Sequence, residues 1–185
     1  MSRRPVWTLA PLALASTLLL GGSGAAHAAP GPFREAHRFG LGLGAGTSTA
    51  GLSAKYFLSD RLALQGVIGA GYDAHHDYYA GAGGGWDSGA ALSADLLFEM
   101  PAFFEDPDVN LAWAIGPGMG IWVGNHSFAL AASGALGFEV NITAVPLDIV
   151  IEYRPRLLIV PPASYAGDGL AFDFVNFSGH IRYYF

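Results

Sequence analysis

Two groups of residues in this chain could do chemistry. The first is Asp73-Ala74-His75-His76-Asp77, followed by Tyr78 and Tyr79. An imidazole beside carboxylates can act as a general base or hold a divalent cation. These residues are adjacent on a Gly-rich stretch, which preorganises them poorly for either task. His75 and His76 are therefore weak metal candidates, and no metal site and no cofactor is expected. The second group is scattered: Lys55, Asp95, Glu99, Glu139, Asp148, Glu152, Arg154, Arg156, His180 and Arg182. Nearly all sit singly between apolar neighbours, at alternate positions. That spacing aligns charges along one face of an extended chain. Gly40-Leu-Gly-Leu-Gly-Ala-Gly46 is no phosphate-binding loop, because it lies in the same alternating text with no helix after it.

The elements that must position these charges follow from composition. Charged residues are 13% of the 185 and hydrophobic residues 52%. Arg3-Arg4, the apolar run from Val6 to Leu20, and Ala26-His27-Ala28 have the order of a secretory signal peptide cleaved before Ala29. Residues 1–28 are thus read as a signal and 29–185 as one domain. Beyond residue 28 there is no apolar run of ~18 residues, the length a spanning helix needs. Removing Arg3 and Arg4 leaves seven cations against 15 acids, a net charge of −8. That argues against nucleic acid as a partner. Without cysteine there is no disulfide framework. A chain this apolar can satisfy its backbone in lipid only as a closed barrel of short alternating strands.

Period-two alternation predicts eight such strands. Their apolar faces carry Phe39, Leu41 and Leu43; Leu52, Tyr56 and Leu58; Leu62, Leu64, Ile68 and Tyr72; and Leu92, Leu96 and Phe98. The last four carry Leu111, Trp113, Ile115 and Met119; Phe128, Leu130, Leu136 and Phe138; Leu147, Ile149, Ile151 and Tyr153; and Phe177, Ile181, Tyr183 and Phe185. The opposite faces are mostly Gly, Ala and Ser with one or two charges per strand. A solvated exterior would carry far more Lys, Glu and Asp. The polar face is read as a narrow interior in which the ten scattered groups pair and plug the lumen. Pro117 and Pro155 fall inside strands and are expected to form bulges. Residues 46–50, 73–85, 124–126 and 161–173 are the expected outer loops.

The closing text, Phe177-Ser-Gly-His-Ile-Arg-Tyr-Tyr-Phe185, resembles the assembly signal of bacterial outer-membrane proteins. The Gly-rich stretch from Arg38 to Gly46 and the run from Tyr56 to Leu64 resemble the OmpA-like and OmpX-like small barrels. The resemblance implies an eight-stranded antiparallel up-and-down transmembrane β-barrel in the outer membrane. It also implies that the barrel-assembly machinery reads Phe177, Ile181, Tyr183 and Phe185, and that periplasmic chaperones hold the unfolded chain. No peptidoglycan-binding domain is expected after the barrel. Deacylases among such barrels use a His and a Ser two residues apart, whereas His126 and Ser127 are adjacent and would face opposite ways in a strand.

The expected function is a structural or interaction barrel in outer-membrane lipid, not an enzyme. It would meet an extracellular partner through Tyr78, Tyr79, Trp86 and Tyr165, since aromatics dominate such contacts. The alternatives are a lipid A-modifying enzyme with His75 as base, a narrow ion channel through the interior charges, or a soluble lipocalin-like periplasmic binder.

Overall fold

The computed structural model describes residues 32–71, 89–124, 128–160 and 169–185. The signal segment 1–28 lies outside them. A short helix, α1 (Pro32–Ala36), precedes the strands β1 (Phe39–Gly46), β2 (Thr49–Ser59), β3 (Leu62–Gly71) and β4 (Gly89–Glu99). After these come β5 (Phe104–Glu105), β6 (Val109–Gly124), β7 (Phe128–Ile142), β8 (Leu147–Tyr153), β9 (Arg156–Val160), β10 (Gly169–Asp173) and β11 (Phe177–Tyr184).

All strand pairings are antiparallel, and they close on themselves. β1 pairs with β2 on one side and with β11 on the other. β6 pairs with β7, which joins the two halves of the sheet. β8 and β9 are two parts of one stave, and so are β10 and β11, because both members of each pair line up against the same neighbours. With β5 only a two-residue addition to β6, the barrel has eight staves, as the alternation predicts. Among the described strands, closure leaves only the short β5 and β10 with a single partner.

Chain direction divides the barrel into two ends. Helix α1, the turn at 60–61, the segment at 100–108 and the turn at 143–146 share the turn end. The hairpin at 47–48 and the strand ends at 71, 89, 124, 128, 160 and 169 lie at the opposite, loop end.

Burial follows the pleat. On β2, Ser53, Lys55 and Phe57 are buried while Leu52, Tyr56 and Leu58 are exposed. The large apolar side chains thus point out of the barrel: Leu43 is 67% exposed, Ile68 58% and Ile151 66%. The polar ones point in: Lys55, Asp148 and Arg182 are each 0% exposed. Outward aromatics cluster at the turn end, where Phe103 stacks on Trp113 at 5.9 Å and on Phe138 at 6.2 Å, and Phe185 meets Tyr183 at 5.2 Å. At the loop end of β8 and β11, Tyr153 meets Phe177 at 5.4 Å.

The two prolines behave differently from the expected bulges. Pro117 stays in register with Gly134 across β6 and β7. Gly134 donates its N–H to Pro155 O, so that pair exchanges no hydrogen bond and residue 117 turns its nitrogen toward β4. There the ladder lapses between Asp95↔Gly118 and Phe98↔Ile115 without a register shift. The lapse is the missing donor and nothing more.

At Pro155 the extra residue is on the facing stave. β8 pairs Tyr153 with Phe177, while β9 pairs Arg156 with Asp173. Two residues, Arg154 and Pro155, therefore oppose three, 174–176, pinned by Arg154 N–H donating to Asn176 O at 2.7 Å. Phe174 and Val175 are consequently both exposed in succession, and Asp173 and Asn176 are both buried. Residues 169–173, expected in an outer loop, are strand β10, paired residue by residue with β9.

Candidate functional site: the lumen

The first stave is glycine-rich because the last is not. In register, Gly40 faces Tyr184, Gly42 faces Arg182 and Gly44 faces His180. A Cβ at Gly40 would stand 2.6 Å from the Tyr184 ring, and one at Gly44 would stand 2.6 Å from His180 Nδ1. Only glycine lets the last stave lay these large side chains across the lumen floor.

All ten scattered groups line this interior. Starting at the turn end, Glu99 lies 3.0 Å from Arg34 and 2.7 Å from Lys55, and Lys55 also pairs with Glu139. Asp148 accepts from Arg182 Nη2 at 2.8 Å and from the Tyr184 hydroxyl at 2.8 Å. Arg182 also donates to Gln65, whose amide donates to Glu152 at 2.6 Å. Glu152 further accepts from Ser178 at 3.1 Å and meets His180 Nε2 at 3.2 Å. Arg154 joins Asp95 and lies 3.6 Å from Glu152. Arg156 donates to Asp173 at 2.8 Å. Each buried charge therefore has an opposite neighbour, the condition under which charges persist away from water.

Sequence reasoning missed Phe33, Arg34 and Asp173, as well as the neutral members Gln65, Ser178 and Tyr184. Phe33 and Arg34 of α1 enter the lumen from the turn end: Phe33 is 1% exposed, 5.1 Å from the Tyr184 ring and edge-on to it. Arg34 supplies a cation that the ten groups, with five acids against four permanent bases, leave short. That imbalance was the available signal. Asp173 had none, because the bulge at 174–176 reverses the alternation before it.

Ser53 Oγ lies 3.0 Å from His180 Nδ1, and His180 Nε2 lies 3.2 Å from Glu152. The order of atoms is that of a serine–histidine–acid relay. Ser53 is 0% exposed, however, so no acyl carbon reaches its oxygen and the array is a structural brace.

Above this floor the lumen hollows. A cavity of about 130 Å³ toward the loop end is lined, among the described residues, by small side chains such as Ala91, Ser93, Gly120 and Ala131. Arg154, Arg156, His180 and Trp122 also reach it.

The outward residues Phe177, Ile181, Tyr183 and Phe185 are 45–67% exposed and form an apolar stripe on the closing stave. His75, His76, Tyr78, Tyr79, Trp86 and Tyr165 lie outside the described residues, as do His126 and Ser127. Among the described residues no three His, Asp or Glu side chains are grouped to hold a metal. Compared with known protein families, curated proteins and solved structures, the chain matches none.

Proposed function

We propose that this chain is an exported outer-membrane barrel whose lumen is plugged by its own side chains and whose loop end faces outward. In this reading it is a structural or interaction protein. One observation carries the proposal: the barrel is inverted relative to a water-soluble one, with Leu, Ile and Phe outside and paired charges inside. Water around such a surface would leave a contiguous apolar band far larger than soluble monomers tolerate. Hydrocarbon removes that cost and requires the closed hydrogen-bonding the staves provide.

Residues 1–28 act as the export signal, and the stripe of Phe177, Ile181, Tyr183 and Phe185 is what the assembly machinery reads. Loops 73–85 and 161–168, with Tyr78, Tyr79, Trp86 and Tyr165, meet an external partner. The inversion also weighs against the lipocalin-like binder, and the packed lumen floor weighs against an open pore.

The test is refolding from urea into detergent, followed by gels of boiled and unboiled samples and circular dichroism. A β-rich band whose mobility shifts on boiling is expected. A monomer that folds in water and ignores detergent would overturn the reading.

A further inference from the structure

The two halves of the lumen are built differently. Toward the turn end, Tyr184, Phe33, Phe57, Lys55, Arg182 and Gln65 are almost wholly buried and fill it. Toward the loop end most of the described inward positions are Gly, Ala and Ser, and the cavity above His180 remains. Native interiors are close-packed, and a hollow of this size forfeits contacts on every side.

Among the described residues, the charges that line the hollow are one-sided. Arg154 and Arg156 reach the cavity wall, but their partners Asp95 and Asp173 are not among the described residues that line it. Arg154 meets Asp95 and Glu152, and Arg156 meets Asp173; a guanidinium has five N–H donors, more than these contacts use. Trp122 lines the same wall, with its Nε1 close to Gly71. Apart from His180 and Asn176, the other described residues of the wall are apolar or weakly polar.

From the hollow and its cationic wall, we infer that the loop-end half of the lumen is a binding chamber for a small apolar carboxylate. The carboxylate would lie against Arg154 and Arg156, and the hydrocarbon would lie against the small-residue wall. The recognition is that of paired N–H donors for a carboxylate, which a neutral or cationic head group cannot reproduce. The proposal does not rest on the membrane reading, because it concerns only the inside of the folded barrel.

The probe is hexanoate, titrated calorimetrically into folded protein in detergent micelles, with hexanol and hexylamine as comparisons. The control is Gly120→Leu. A Cβ at Gly120 meets nothing closer than 3.4 Å, so the leucine fills the hollow while the charge network stays untouched. Uptake by micelles is common to both proteins and cancels.

The expected result is saturable hexanoate binding that Gly120→Leu abolishes, with hexanol at least tenfold weaker and hexylamine silent. Arg156→Gln should weaken hexanoate about tenfold and leave hexanol unchanged, as loss of a charge-assisted hydrogen bond predicts. Ala131→Leu replaces Gly120→Leu if the latter loses its heat-modifiable band. Absence of saturable binding, equal binding by the filled variant, or equal binding of hexanol or hexylamine would each overturn the proposal.

Discussion

At the scale of the residue, Lys55 is the test of what holds the lumen floor. Its ammonium is wholly buried between Glu99 and Glu139, and it crosses from β2 to β4 and β7. Replacing it by Ala leaves two carboxylates facing each other in low dielectric with only Arg34 near Glu99. Breaking a buried ion pair from one side costs about 3–5 kcal/mol, and that loss is expected from Lys55→Ala in urea unfolding of the folded barrel. Lys55→Met combined with Glu139→Gln should lose clearly less than the sum of the two single changes, because neither charge is then stranded. Strict additivity would mean that the two groups do not share an interaction. The single residues of this network were legible because each charge interrupts an apolar alternation. Their partners were not, since the pairing depends on which staves close against each other.

At the scale of the element, the departures from regularity have separate causes and separate tests. Pro117 turns its missing donor toward β4, where the ladder lapses. Pro117→Val should restore one backbone hydrogen bond and raise stability by about 1 kcal/mol. A loss on unfolding would mean that the proline ring itself is packed. Helix α1 is the element that alternation could not reveal, because five residues carry no periodicity long enough to read. It is held by what it inserts: Phe33 against Tyr184 and Arg34 against Glu99. Phe33→Ala should cost about 3 kcal/mol, the lower range for emptying a buried aromatic site, while the barrel still folds. A change under about 1 kcal/mol would place α1 outside the lumen. The bulge at 174–176 taught the most. A single inserted residue turned Asp173 inward, which no strict period of two can anticipate.

At the scale of the whole molecule, the open question is what surrounds the barrel, and a charge on its outer face can answer it. Leu43 lies within β1, points outward, and is 67% exposed. Its replacement touches none of the lumen pairs. In water, Leu43→Arg would be an ordinary surface substitution, within about 0.5 kcal/mol of neutral. In a bilayer the same guanidinium sits in hydrocarbon, and an arginine on the lipid face of a barrel costs about 2–4 kcal/mol at the midplane, falling toward zero at the interfaces. Ile151→Arg and Ile68→Arg probe other staves, and Phe185→Arg probes the turn end, where aromatics gather. Unfolding titrations in lipid vesicles should therefore give a depth profile: large losses for Leu43, Ile68 and Ile151, and a small one for Phe185. A flat profile near zero would return the apolar face to an aqueous setting, and the inversion would then need another protein's surface to cover it.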